Sequence, residues 1–322
     1  MLSRVAESLY WMSRYVERAE NIARFIDVTW NMILDLPEGS SEQWQPLVST
    51  TGDHEEFAEK YGEATQQSVI QFLTFDPDYP NSILSCLHQA RDNARSIREV
   101  ISSEMWEQLN VFYHRVMEQA LGGTARESMY DFFHEVRMAS HLFEGITDAT
   151  MSHGEGWHFA RLGRLLERAD KTTRILDVKY FVLLPTVGDV GSAVDDLQWS
   201  AVLRSVSGFE MYRKRHHGIA PNRVVDFLLL DAEFPRAVQF CVQNAEQSLH
   251  AISGTPLGTF RNVAEQRMGQ LRSELAYAQV DEIINNGLHE FLDDLQTQLN
   301  SLTTAIHETF FALQPAEKAT AK

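Results

Sequence analysis

Glycine, proline and cysteine are scarce in this sequence. Its 322 residues include 17 glycines, 9 prolines and 2 cysteines. The spans between the glycines and prolines are rich in Leu, Ala, Glu, Gln and Arg, a composition typical of helical proteins. No segment shows a convincing strand pattern. We therefore predict an all-α protein, built as a multi-helix bundle.

The two cysteines, Cys86 and Cys241, lie far apart and belong to no CxxC or Cys/His pattern. They are predicted to be small core residues. No apolar run reaches 18 residues, and charges interrupt the first twenty positions, which excludes a spanning helix and a signal peptide within these residues. These absences predict a cytoplasmic protein without a membrane partner.

Basic residues are too few for a generic nucleic-acid binder. The chain has 28 Lys and Arg against 45 Asp and Glu, a net charge of −17. Such a balance repels nucleic-acid phosphates and anionic lipid. We therefore expect no nucleic-acid partner.

The common catalytic and metal-binding motifs are missing as well. The sequence contains no GxSxG, Walker A, GxGxxG or HExxH pattern. The nearest approach to the Glu-x-x-His repeat of di-iron bundles is a single Asp131-x-x-His134. We expect no metal and no cofactor, and the motifs assign no catalytic residue.

Apolar residues recur at spacings of three and four over most of the chain, which predicts long helices. Ser3 and Asn222 are predicted N-caps, Pro37 to Gly39 should end the first helix, and Pro235 should kink or restart a later one. The polar stretch 38–64 is predicted to be a loop with short helical turns. The predicted helices span 2–36, 81–101, 103–121 ending at Gly122-Gly123, 127–150, 157 to near Pro185, a segment around 199–206, a segment from 222, and two long helices after the possible sub-boundary at 253–258.

One decapeptide recurs. The segment "YVERAENIAR" at 15–24 returns as "LLERADKTTR" at 165–174, which lies 150 positions later. This repetition predicts one helical unit used twice. Aligning 14–28 with 164–178 gives seven identical pairs: Arg14/Arg164, Glu17/Glu167, Arg18/Arg168, Ala19/Ala169, Arg24/Arg174, Asp27/Asp177 and Val28/Val178.

The repeated Glu-Arg pair needs partners. On a helix, Arg18 projects about 100° away from Glu17, toward Trp11 and Tyr15, where its guanidinium requires a carboxylate, a carbonyl or an aromatic face. In one interpretation the two helices pack together, Arg18 reaches Glu167 and Arg168 reaches Glu17, and the pairs fix the register. In the other, the pairs line a cleft between the halves and hold a substrate, a phosphate or a carboxyl group.

A basic stripe is predicted on the 81–101 helix, where Arg91, Arg95 and Arg98 follow one another at spacings of four and three. It can be a solvated face whose arginines pair with Asp92, Glu99 and acidic neighbours. It can also grip an anionic ligand or an acidic partner.

These segments resemble the bacterial α-E family, an all-helical group named for its Glu-Arg motifs. The resemblance covers nearly the whole chain and implies one domain over 1–315, followed by a frayed tail at 316–322. Its most specific segments are "LYWMSRYVERAENIARFIDV", "ARDNARSIREVISSEMWEQLN", "GWHFARLGRLLERADKTTRILDVKY", "YRKRH" and "FLLLDAEFPRAVQF".

The resemblance implies a role beside other proteins. Members are typically encoded next to circularly permuted ATP-grasp proteins and transglutaminase-like proteins, or fused to the former. A system that forms or modifies peptide or amide bonds is therefore expected, with this chain as a noncatalytic partner of the ligase or as an enzyme with a Glu general base. The family's characteristic residues fall on Glu17, Arg18, Arg91, Arg95, Glu167 and Arg168.

Overall fold

The computed structural model describes residues 1–34, 44–122, 128–181 and 193–312. Every regular element within these ranges is helical. The prediction of an all-α multi-helix protein is confirmed.

The first half of the chain contains one long helix, a set of short ones and three further helices of medium length. A five-residue π-helical turn, Gln71–Phe75, extends α4. The bounds are α1 Ser3–Leu34, α2 Gln45–Thr51, α3 His54–Tyr61, α4 Gln66–Ile70, α5 Ile83–Ser96, α6 Ser103–Ala120 and α7 Met129–Thr150.

The second half also opens on a long helix and continues with shorter ones. Its π-helical turn, His307–Phe311, follows the last helix. The bounds are α8 Glu155–Phe181, α9 Ala193–Ser205, α10 Phe209–Arg215, α11 Pro221–Leu229, α12 Val238–Ser253, α13 Val263–Tyr277, α14 Val280–Asn286 and α15 Leu288–Ile306.

The two long helices, α1 and α8, pack against each other at the centre of the core. Around α1 lie α5 and α7, and around α8 lie their counterparts α12 and α15. Each long helix also contacts a short helix of the other half, since α1 contacts α9 and α8 contacts α2. The predicted duplication therefore extends from the Glu-Arg helices to the packing around them.

Several predicted boundaries differ from the structure. Ser3 is the first residue of α1, so it does not stand before the helix as a cap. Asn222 lies inside the first turn of α11, because Pro221 takes the first helical position and Ala220 precedes it. The predicted 81–101 helix ends at Ser96, although Ile97 and Ile101 continue its buried seam.

Other boundary predictions are confirmed or extended. Pro235 lies in the break between α11 and α12. The described part of 38–64 contains the short helices α2 and α3. Beyond 258 the structure has three helices instead of two, because Gly287, at φ +107°, separates α14 from α15.

The proposed sub-boundary at 253–258 lies in the connection between α12 and α13, which pack against each other. The predicted stops at Pro37 to Gly39, Gly123 and Pro185, and the predicted tail at 316–322, lie outside the described residues.

A second repeated segment precedes α5 and α12. "FLTFDPDYP" at 72–80 matches "FLLLDAEFP" at 227–235, with a shift of 155 positions. The ring of Phe72 stacks on Tyr79 with centroids 3.9 Å apart, and Phe227 stacks on Phe234 at 4.5 Å. The two segments therefore adopt equivalent conformations ahead of equivalent helices.

Cys86 and Cys241 occupy equivalent positions, each six residues after the proline that ends its segment. Both thiols are buried, as predicted, and each Sγ points to a proline carbonyl, that of Pro80 at 3.9 Å and that of Pro235 at 3.5 Å. Burial raises the pKa of each thiol to about 12, so neither is a thiolate near neutral pH.

Gly163 sets the distance between the two central helices. A Cβ atom placed on it would overlap the backbone carbonyl of Tyr10 on α1. Only a residue without a side chain permits this approach of the α8 and α1 backbones.

None of the helices in the described ranges is long and apolar enough to cross a membrane.

Candidate functional site

The Glu-Arg pairs of the two copies meet in the buried interface between α1 and α8. The carboxylate of Glu167 accepts hydrogen bonds from Arg18, with Nε at 2.6 Å and Nη2 at 3.1 Å. It also accepts one from Arg14 Nε at 2.8 Å, and Lys171 Nζ lies 3.6 Å away. The Glu167 side chain is fully buried, so one buried carboxylate is the shared partner of three cations.

The second pair mirrors the first. Arg168 donates to Glu17 from Nε at 2.9 Å and from Nη2 at 2.8 Å. Glu17 also accepts from Asn21 Nδ2 at 2.9 Å and from Arg236 Nη1 at 3.3 Å. The pairing of Arg18 with Glu167 and of Arg168 with Glu17 is the arrangement expected in the first of the two interpretations, in which the helices pack together.

The third identical arginine of each copy is bound in the same way in both. Arg24 bonds to Glu20 on its own helix, with Nη2 at 2.7 Å, and donates from Nη1 to the carbonyl of Ser205 at 2.6 Å. Arg174 bonds to Asp170, with Nε at 3.1 Å, and donates from Nη1 to the carbonyl of Thr50 at 2.9 Å. These arginines thus fasten α9 to α1 and α2 to α8.

The surrounding cations keep the buried carboxylates ionised. Burial alone would raise the pKa of the Glu167 carboxyl, but Arg18, Arg14 and Lys171 together hold that pKa well below its usual range. Burial would also raise the pKa of Glu20, but Arg236 and Arg24 lower it. At Asp170, Lys171 and Arg174 outweigh the effect of burial and bring the pKa to about 2.

Cations outnumber carboxylates in this buried network. Burial lowers the pKa of Arg236 to about 10, and the neighbouring Arg24 adds to this effect. The cations are Arg14, Arg18, Arg24, Arg164, Arg168, Lys171, Arg174 and Arg236, and the carboxylates are Glu17, Glu20, Glu144, Glu167 and Asp170.

The remaining identical residues of the repeat take different partners in the two copies. Arg164 pairs with Glu144 on α7 at 2.9 Å, whereas its counterpart Arg14 pairs with Glu167. Asp27 pairs with Arg137 at 2.9 Å, and Asp177 pairs with His289 at 2.7 Å.

The basic stripe lies apart from this network. Arg91 donates from Nε to Asn110 at 2.6 Å and lies over the rings of Trp106 and Tyr113. Arg98 lies over Trp106 at 4.9 Å, and Arg95 is exposed.

Asp92, one of the acidic residues expected to pair with the stripe, contacts His88, with its carboxylate 3.5 Å from Nδ1. Aromatic rings of α6 cover the guanidinium groups at the two ends of the stripe.

Sequence reasoning missed Arg236, which contacts both Glu17 and Glu20 from the segment before α12. The repeat of segment 72–80 at 227–235 could have indicated this residue, because Arg236 follows Pro235 as Asn81 follows Pro80. Asn81 occupies the equivalent place, where its Oδ1 accepts from Arg18 Nη1 at 2.6 Å.

These contacts restrict the chemistry open to the Glu-Arg pairs. A general base needs an accessible carboxylate with a pKa near the working pH. Glu167 is buried, has cationic partners and has a lowered pKa, so it does not meet these conditions. Within the described ranges, no group of three or more His, Cys, Asp or Glu residues could hold a metal ion.

The fold and the site define an all-α protein with a duplicated long helix whose Glu-Arg motifs pair reciprocally in the core. Residues 1–311 match the model of the Alpha-E family, described as a predicted alpha-helical domain with a conserved ER motif. The chain belongs to this family.

Mycobacterial proteins are among its relatives. An uncharacterized protein of Mycobacterium bovis and one of Mycobacterium tuberculosis strain CDC 1551 are each 25% identical to this chain over 325 residues. A protein of M. tuberculosis strain H37Rv is 24% identical. Each alignment covers 94% of this chain but 35% of the relative, so the chain spans about a third of their length. No solved structure matches the chain.

Proposed function

We propose that this protein is a noncatalytic helical component of a system that forms or modifies peptide or amide bonds. In this proposal it docks on a circularly permuted ATP-grasp ligase, with a transglutaminase-like protein as a further partner, and binds the anionic or peptide substrate. The ligase supplies the ATP chemistry, and this chain supplies a docking surface and a substrate contact.

The observation that carries the proposal is an exposed apolar groove between α6 and α7. Its lining includes Val111, Met138 and Leu142, whose exposed fractions are 64%, 46% and 54%. An exposed apolar groove of this kind is typical of a protein-binding surface. Arg115 and Glu135 flank it with charge, as polar rims flank binding surfaces.

The corresponding groove of the second half has a different character. Between α13 and α15 the lining is polar, and it includes Gln270, Glu274 and Gln298. The two halves share their packing, so the fold does not require an apolar groove at this place. The difference supports a role in which the α6–α7 groove is covered by another protein.

The length of the relatives agrees with this role. Their chains extend well beyond the region that matches this one. In those proteins the helical domain is joined covalently to further sequence, which is one way to keep a component beside its partner.

The catalytic alternative places a Glu general base in the same system. The pairing of Glu17 and Glu167 with buried arginines argues against it, because both carboxylates already have cationic partners. We therefore propose binding as the function and keep catalysis as an outcome of the test.

The test is copurification of this chain with a circularly permuted ATP-grasp protein from the same organism, followed by mass analysis of peptides incubated with both proteins and ATP. We expect a stable complex that Val111→Asp and Leu142→Asp each weaken at least tenfold. Gln270→Asp in the polar groove is the matched control, and Leu257→Asp, at an apolar residue 58% exposed elsewhere, controls for lost surface hydrophobicity.

Two results would contradict the proposal. One is a complex whose affinity is unchanged in both groove variants. The other is a modified peptide produced by this chain alone, which would favour the catalytic alternative.

A further inference from the structure

A small cleft opens where α7 meets α1 and α8. It is lined by Ser13, Phe143, Glu144, Trp157, Arg161 and Arg164, among others. Its enclosed volume is about 20 Å³, which holds one or two water molecules. Including the open mouth, the volume is about 390 Å³.

Arg161 enters this cleft as a fixed cation. Its Nη2 donates to Asn244 Oδ1 at 2.5 Å, its Nη1 donates to Ser248 Oγ at 3.1 Å, and its guanidinium lies 5.4 Å from the ring centroid of Trp157. These partners are neutral, and within the described residues Arg161 forms no ion pair. Its orientation is therefore set by neutral groups, although the Asp148 carboxylate is close enough to act on its charge.

Arg164 lies one turn further along the same face of α8. Its Nη1 is paired with Glu144, but its Nε is buried without a hydrogen-bond partner. An unpaired buried donor of a charged group is costly. Burial lowers the pKa of both Arg161 and Arg164. The charge of Arg164 lowers the pKa of Arg161 further, and the charge of Arg168 lowers that of Arg164.

The first copy of the repeat carries aromatic residues at the equivalent positions. Tyr10 and Trp11 stand where α8 has Ala160 and Arg161, and they pack against Phe311 and Tyr15. Arg14, the counterpart of Arg164, has a partner at Nε, which bonds to Glu167, and its Nη1 bonds to Tyr10 and Thr303. The spare donors of α8 are thus not a requirement of the repeated packing.

We propose that the cleft binds the carboxylate of a small organic acid or of a peptide C-terminus, beside the guanidinium groups of Arg161 and Arg164. Both arginines line the cleft, and a planar guanidinium matches the two oxygens of a carboxylate. The enclosed volume of about 20 Å³ has room for the two oxygens of a carboxylate but not for the four of a phosphate. Trp157 and Phe143 give the mouth an apolar wall on which the rest of the ligand rests.

This inference deepens the proposed function, because it locates the substrate contact of the docking component. It rests on the proposed function only for the biological source of the ligand. Docking is tested on the α6–α7 groove and carboxylate binding on isolated protein without ligase, so the two can fail separately.

The experiment is calorimetric titration of the full chain with N-acetylphenylalanine and with its C-terminal amide, which differ at the carboxylate. Inorganic phosphate is a third probe. We expect millimolar binding of the acid, at least tenfold weaker binding of the amide, and weaker binding of phosphate. Arg161→Gln and Arg164→Gln should each lower the affinity for the acid at least tenfold, whereas Arg267→Gln, on the exposed face of α13, should leave it unchanged.

Circular dichroism and the Tm show whether each variant remains folded. If a variant unfolds, the comparison of acid with amide in the unaltered protein still shows whether the carboxylate is bound. No binding of the acid, equal binding of acid and amide, tighter binding of phosphate, or unchanged affinity in both folded arginine variants would each overturn the assignment.

Discussion

Arg168 and Glu17 form a two-bonded ion pair across the interface of α8 and α1, with N···O distances of 2.9 and 2.8 Å. Both side chains are buried. A planar guanidinium matched to a planar carboxylate defines the relative position of the two helices as well as holding them together. The same geometry recurs between Arg18 and Glu167, so the register of the central helix pair is fixed at two places.

Replacing Glu167 by Gln should destabilise the protein strongly. The variant leaves Arg14, Arg18 and Lys171 around a neutral amide in a dry interface. Loss of one partner of a buried ion pair costs about 3–5 kcal/mol. Urea unfolding followed by circular dichroism measures the change.

Glu135→Gln is the matched control, because Glu135 pairs with Arg115 on the surface, where its side chain is 48% exposed. We expect the control to change the free energy of unfolding by less than about 1 kcal/mol. If Glu167→Gln were as mild as this control, the Glu-Arg pairs would not be structural.

Replacing either of two helical glycines by alanine should change the stability of the protein, in opposite directions at the two positions. Gly163→Ala introduces a methyl group that overlaps the Tyr10 carbonyl, and forced overpacking costs about 1–3 kcal/mol. Gly145→Ala on α7 meets no atom within 4 Å and should stabilise its helix by about 0.5–1 kcal/mol. Thermal unfolding of the two variants checks the difference, and a gain in stability for Gly163→Ala would refute the close helix contact.

Acid should unfold this protein through its buried carboxylates. The folded-state pKa values of Glu167, Glu20 and Asp170 are lowered, that of Asp170 to about 2. Their contribution to stability is therefore complete above the unfolded pKa values, near 4, and is lost as the pH falls through the lower folded values.

Asp170→Asn should remove part of this dependence. The free energy of unfolding, measured in urea between pH 2 and 6, should fall less steeply with acid in the variant than in the unaltered protein. Identical slopes would show that Lys171 and Arg174 do not lower the pKa of Asp170 in the folded state.

His289 should titrate above its usual range. The hydrogen bond with Asp177 raises the pKa of His289, and this outweighs the lowering by burial. Protonated His289 therefore contributes stability that is complete below the ordinary histidine pKa and disappears as the pH rises through the folded value. Burial raises the pKa of Asp177, so this contribution is assigned to the histidine alone.

Proton NMR of the imidazole ring measures this titration directly. Asp177→Asn should shift the midpoint of His289 to lower pH. A midpoint that does not move in the variant would contradict the ion pair between α8 and α15.

Local sequence was sufficient to predict the helices and the reciprocal pairing. Apolar spacing is a property of neighbouring residues, and the recurrence of Glu and Arg at the same helical angle leaves few partners for Arg18 other than Glu167. Caps were harder to predict, since Asn222 was displaced by the preference of Pro221 for the first helical position. Arg236 was missed because it reaches Glu17 from 219 residues away.

The sequence by itself determined the helical class, the duplication and the identity of the paired motifs, because each of these follows from short-range periodicity and composition. Tertiary structure alone decided the partners of the other arginines in the repeat. Arg14 and Arg164 are identical in the repeat, yet the Nε of Arg14 bonds to Glu167 while the Nε of Arg164 is buried without a hydrogen-bond partner. Such differences arise from the side chains that distant helices bring to the same place in a closely packed core.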